Sequence, residues 1–114
     1  EGLEAILDKT RASITLSSGV PRDHQERFQY CRYREGDFFD WHVDGAQREK
    51  TFIIYLNEGY EGGATELHGG KSYKGDVGEM LCFPKGLRHR SAPVTKGEKH
   101  VLLCWVQANP LPNP

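Results

Sequence analysis

The sequence predicts a mainly β domain, a double-stranded β-helix (jelly roll) with a short N-terminal helix. Three observations lead there: many short runs of β-branched and aromatic residues, Gly and Pro punctuating those runs, and only one stretch with helical periodicity. At 114 residues the chain has room for one core, so any functional group must share it.

Leu3, Ile6 and Leu7 recur at helical spacing with Glu1, Glu4 and Asp8 between them, which predicts a short amphipathic helix. Ile14 to Asp23 is rich in Ser, Gly and Pro and reads as a loop, so residues 1–27 form a helix and loop. From Phe28 the pattern alternates bulky and polar residues to Tyr33. Gly36-Asp37 then marks a turn, and Phe38-Phe39-Asp40-Trp41-His42 reads as the second arm of a hairpin. Thr51 to Leu56 is a β-branched and aromatic run too short for a typical helix, hence a buried strand. Glu61-Gly62-Gly63 turns the chain. Strands are expected at Ala64 to Leu67, Ser72 to Lys74, Glu79 to Phe83, His89 to Pro93 and His100 to Val106. The jelly-roll core therefore spans 28–107 and a Pro-rich tail occupies 108–114. The abrupt opening at Glu1 reads as though upstream residues had been trimmed.

Net charge is -1 and the charges are interleaved, so no basic stripe offers itself to nucleic acid. No apolar run is long enough to span a bilayer and no cleavable leader is evident, so no membrane partner is expected. Cys31, Cys82 and Cys104 are odd in number and each sits among apolar residues, which reads as reduced core thiols and a cytoplasmic location. Oligomeric state is left open.

The chemistry is concentrated in His42-Val43-Asp44, His89 and Lys99. On an extended strand His-x-Asp puts an imidazole and a carboxylate on one side. A remote imidazole from His89 completes three adjacent corners of an octahedron, the facial set that holds Fe(II) with positions left open. Zinc accepts the same donors, and a set of ordinary polar residues is the bland alternative. Likewise Lys99 reads either as a carboxylate anchor or as a solvated strand lysine, and Tyr33 and Tyr55 as ligand contacts or half-buried strand aromatics. Trp41 points away from His42 by period two. His24, His68 and His100 have no partner at ligand spacing and read as surface residues, and Arg88 and Arg90 as a solvated rim.

Tyr33-x-x-Gly36, Trp41-His42-x-Asp44, Tyr55-Leu56-Asn57, Gly62-Gly63-x-Thr65, His89, Pro93-Val94, Gly97-x-Lys99 and Trp105 together resemble the Fe(II)/2-oxoglutarate dioxygenases of the prolyl 4-hydroxylase-like group. The resemblance covers Phe28 to Gln107, and what precedes it looks like a shortened form of the family's helical support. It implies iron ligands at His42, Asp44 and His89, with Lys99 and Tyr55 on the far carboxylate of 2-oxoglutarate and Tyr33 near the metal end of that co-substrate. Thr65 is a candidate for the pocket wall and Trp105 for its floor. The implied cofactors are Fe(II), 2-oxoglutarate and O2, with ascorbate as a further candidate. The implied reaction hydroxylates an unactivated C–H bond while 2-oxoglutarate becomes succinate, with a prolyl residue of a peptide or protein as the first substrate. A free amino acid or other small molecule is the runner-up. A halogenase would lack the Asp44 carboxylate, and a nucleic-acid demethylase would carry Arg at the anchor. A non-catalytic jelly-roll module that binds a metal or ligand is the alternative from another class.

Overall fold

The computed structural model describes residues 2–112. Glu1, the side chain of Leu3, and Asn113 and Pro114 of the expected tail lie outside the described residues.

Helix α1 runs Leu3–Ser18 and is followed by a 3-10 turn at Arg22–His24. Ten strands follow: β1 Gln29–Tyr33, β2 Phe39–His42, β3 Arg48–Tyr55, β4 Glu61–Gly62, β5 Thr65–Leu67, β6 Lys71–Tyr73, β7 Met80–Pro84, β8 His89–Ser91, β9 Val94–Lys96 and β10 Lys99–Gln107. They form a sheet of order β1-β10-β3-β7, a facing sheet of order β2-β8-β5-β6, and the small pair β4-β9. All pairings are antiparallel. One helix on antiparallel sheets is the expected jelly-roll architecture.

Two expectations about the elements fail. The loop expected from Ile14 is helix as far as Ser18, and Ile14 is fully buried. Ile6, Thr10 and Ile14 continue the i, i+4 spacing. The hydroxyls of Ser17 and Ser18 donate back to the carbonyls of Ser13 and Ile14, so these serines extend the helix instead of breaking it. Gly19, at φ 73°, ends it in the left-handed conformation with its N–H on the Thr15 carbonyl. Nor do β1 and β2 form a hairpin. β1 pairs with β10 and β2 with β8, so the turn at Gly36 carries the chain from one sheet to the other.

The core lies on both faces of the larger sheet. Ile14 of α1 packs with Phe52, Ile54, Cys104 and Val106 on its outer face. Ile53, Tyr55, Phe83 and Val101 pack with Leu67 between the sheets. A strand buried on both sides needs apolar residues at every position, and this explains the unbroken run Phe52-Ile53-Ile54-Tyr55. The thiols divide: Cys104 is buried, Cys31 half-buried, and Cys82 exposed, against the expectation of three core thiols. Leu111 donates its N–H to Asp23, tying the start of the Pro-rich tail to the turn after α1.

Candidate metal centre and its anchor pocket

Alternation along three strands builds one cavity between the sheets. Lys99, Val101, Leu103 and Trp105 of β10, Cys31 and Tyr33 of β1, and Thr51 and Ile53 of β3 all face a space of about 350 Å³. A cavity this size holds a small organic ligand. Thr65, His89 and Ser91 close it from the second sheet.

A bulge sets the metal end. Phe39 pairs with Ser91 and His42 with His89, so β2 advances by three residues where β8 advances by two. The extra residue turns His42 onto the cavity side, and its ring stands 4.2 Å from that of His89. Asp44, just beyond the strand, reaches between them: Oδ1 lies 3.6 Å from His42 Nε2 and Oδ2 3.6 Å from His89 Nε2. One donor atom from each of the three residues lies within 4.8 Å of the others.

The donor set fits a metal ion. His42 Nδ1 lies 2.7 Å from the Asp40 carbonyl and His89 Nδ1 2.9 Å from the Leu87 carbonyl. A carbonyl only accepts, so each Nδ1 carries the proton and each Nε2 presents a lone pair inward. Burial, more than any neighbouring charge, lowers the His89 pKa, which keeps that imidazole neutral as metal ligation requires. Phe39 lies against the His42 ring and Phe83 against that of His89, at 4.3 and 4.5 Å between centroids.

At the other end Lys99 is 2% exposed. Its ammonium donates to the Gly63 carbonyl and to Ser91 Oγ, both at 2.8 Å, and stands 5.0 Å from the Tyr33 ring centre. Burial lowers its pKa to about 8, Lys74 pushing the same way and Cys31 opposing. Among the described residues no carboxylate pairs with this ammonium. Two of its three N–H groups serve neutral oxygens, and the third remains for a ligand. Gly62, at φ 72°, lets β4 lie close against β9 beside this carbonyl, because a Cβ there would lie 2.5 Å from the Pro93 carbonyl.

The remaining candidates divide. Tyr33 lines the cavity, but its ring lies beside Lys99 and not near the metal end as expected. Tyr55 does not line the cavity. It is 1% exposed and its hydroxyl lies 2.8 Å from Thr65 Oγ1, so Thr65 forms the wall and Tyr55 backs it. Burial pushes the Tyr55 pKa up to about 12, so its phenol stays protonated. Trp105 lines the cavity beneath the Arg48 guanidinium, 3.8 Å above its ring. Trp41 faces away from the cavity, with Arg90 over its ring. His24 and His100 are half-buried and not surface residues: His24 Nδ1 meets the Gln107 carbonyl, and His100 stacks on Tyr30. Only His68 of those three is exposed.

Sequence reasoning missed Thr51, Ser91 and Arg48. Thr51 donates its hydroxyl to Asp44 Oδ2, and Arg48 is held by Glu26 through two bonds of 3.0 and 2.9 Å. The signal for two of them was period two, Thr51 with Ile53 and Ser91 with His89, whereas Arg48 has the opposite parity to Thr51 on β3 and had no such signal.

A jelly roll with two imidazoles and a carboxylate at one end of its cavity and a buried lysine at the other defines a non-haem metal-binding class. The chain belongs to the 2OG-Fe(II) oxygenase superfamily, whose sequence model matches residues 28–107. It is 30% identical to "Probable prolyl 4-hydroxylase 9" of Arabidopsis thaliana over 89% of this chain and 47% of that protein. It is 34% identical to a PKHD-type hydroxylase of Picosynechococcus sp. over 92% of this chain and 52% of that protein. The chain thus spans about half the length of these relatives. Among solved structures, a prolyl-4-hydroxylase of Pseudomonas putida superposes with a TM-score of 0.68 at 24% identity, covering 92% of this chain and 62% of the other. The viral collagen prolyl hydroxylase of Paramecium Bursaria Chlorella virus-1, in its 2OG complex, gives 0.67 at 22% identity over 94% and 73%. No helix among the described residues is long and apolar enough to cross a membrane.

Proposed function

We propose that this chain carries the catalytic core of an Fe(II)- and 2-oxoglutarate-dependent dioxygenase that hydroxylates a prolyl residue in a peptide or protein. One observation carries the reading: a facial His42, Asp44 and His89 donor set opens onto the same cavity as a buried ammonium that no carboxylate among the described residues pairs with. Fe(II) would be held by His42 Nε2, Asp44 and His89 Nε2, and when bound it supplies O2 activation coupled to oxidative decarboxylation of the co-substrate.

The protein's own residues bind, orient and exclude water. Lys99 offers its remaining N–H to the far carboxylate, a charge-assisted bond strengthened by burial. Ser91 and Gly63 hold the ammonium in place, Thr65 supports the wall, and the Tyr33 ring shields the anchor from water. His89 and Ser91 are two residues apart on β8, roughly 7 Å by strand geometry, which matches a short diacid spanning from metal to lysine.

The prolyl substrate is supported by the names of the relatives and by the rim. Both arginines lining the cavity are already paired, Arg48 with Glu26 and Arg90 with Glu66. Among the described residues lining the cavity, the carboxylate of a free amino acid would meet no unpaired guanidinium. A peptide backbone brings no such carboxylate.

The test is succinate release by the protein loaded with Fe(II), 2-oxoglutarate and ascorbate, with and without proline-containing peptides, and mass spectrometry for the gain of one oxygen. Succinate formation stimulated by a peptide supports the reading. Iron bound at the triad without co-substrate consumption would establish a non-catalytic binding module instead.

A further inference from the structure

We propose that Thr51 is a positioning residue that keeps Asp44 from chelating the metal through both oxygens, so that a coordination position stays open. The inference rests on the iron site proposed above. Asp44 lies past the end of β2, in a loop without ladder pairing, so its backbone does not by itself set the orientation of its carboxylate. Oδ1 faces His42 Nε2 and Oδ2 faces His89 Nε2, each at 3.6 Å, so both oxygens are turned toward the imidazole pair and the imidazoles alone do not choose between one-oxygen and two-oxygen binding.

Thr51 breaks that symmetry. Its hydroxyl donates to Oδ2 and takes up a lone pair there, leaving Oδ1 as the better donor. The hydroxyl is itself well fixed. Thr51 is 3% exposed in the middle of the larger sheet, paired with Trp105 on one side and Phe83 on the other, and its β-branched side chain has few rotamers to explore. A loop carboxylate is thus tied to a strand that is paired on both sides.

Coordination arithmetic shows why this matters. Two imidazoles and one oxygen fill half an octahedron, and the co-substrate's two donors leave one position for O2. A second Asp44 oxygen would fill that last position.

The experiment uses the full chain loaded with Mn(II) and no co-substrate, and counts exchangeable metal-bound water by proton relaxation. Wild type and Thr51→Ser, which keeps the hydroxyl, are expected to show about three waters, and Thr51→Val about two, with Mn(II) affinity no weaker. If Thr51→Val does not fold, Thr51→Ala removes the same donor in a smaller side chain and carries the comparison. Equal water counts with and without the hydroxyl would overturn the role of Thr51 while leaving the metal site intact. Failure of wild type to bind Mn(II) at all would instead overturn the functional reading, and this inference with it.

Discussion

Lys99 Nζ donates to Ser91 Oγ at 2.8 Å, and Ser91 stands two residues beyond His89 on the same strand. The proposed anchor and a proposed metal ligand are thereby set by one strand segment, so the spacing between them does not depend on a loop. Lys99→Ala should raise the 2-oxoglutarate KM by roughly 10- to 100-fold, since a charge-assisted bond contributes about 1.5–3 kcal/mol. Ser91→Ala should raise it several-fold. Iron affinity, measured by titration of the metal-free protein, should change little in either variant, and a parallel loss of iron binding would count against two separate ends.

The Lys99 pKa of about 8 predicts a pH dependence with a definite sign. An unperturbed lysine titrates near 10.4. Between about pH 8 and 10.4 the unfolded chain therefore holds this proton when the ligand-free native state does not, and this group's contribution to stability rises with pH across that window and is lost as pH falls to about 8. In the proposed role of Lys99 co-substrate binding needs the ammonium, so the 2-oxoglutarate KM should climb above pH 8, by up to about tenfold per unit. Lys99→Arg should flatten that climb. Calorimetry in buffers of different ionisation enthalpy should show proton uptake on binding above pH 8, and its absence would remove Lys99 from the binding step.

Asp44→Ala should weaken Fe(II) binding by orders of magnitude, because two neutral imidazoles remain with no charged donor. Equilibrium dialysis of the variant reads this directly. Undiminished affinity would place the metal elsewhere.

Gly75→Ala tests the support behind the pocket wall. A Cβ there would lie 2.4 Å from the Tyr55 ring, which is 1% exposed and has nowhere to retreat. The ring must move, and its bond to Thr65 goes with it. The expected outcome is a raised 2-oxoglutarate KM with unchanged iron affinity, together with a loss of thermal stability of about 1–3 kcal/mol.

Ile14→Ala tests whether the far end of α1 belongs to the core. Ile14 is fully enclosed by Phe52, Ile54, Cys104 and Val106, and its truncation should cost about 2–5 kcal/mol by denaturant unfolding. A cost below about 1 kcal/mol would mean that this end of α1 does not pack as described.

Much of the fold was legible because strand character is written locally. The alternation from Phe28 to Tyr33, the unbroken apolar run from Phe52 to Tyr55 and the Gly and Pro breaks lie within a few residues of one another, and β1, β3 and β10 fall close to where they were read. Serines misled the reading of Ile14 to Ser18, because a hydroxyl that favours turns in isolation can also bond back along a helix when packing holds the helix in place.

By itself the sequence determined the strand-rich character, the candidate ligand types and their order, since these depend only on residue identity and short-range periodicity. Tertiary structure decided which residues meet. The pairing of β1 with β10 across most of the chain, the bulge that turns His42 toward His89, Tyr55 standing behind Thr65, and Thr51 holding Asp44 all join residues whose separation along the chain carries no local signal. They come together because burying both faces of the larger sheet leaves few arrangements in which every strand also satisfies its backbone hydrogen bonds.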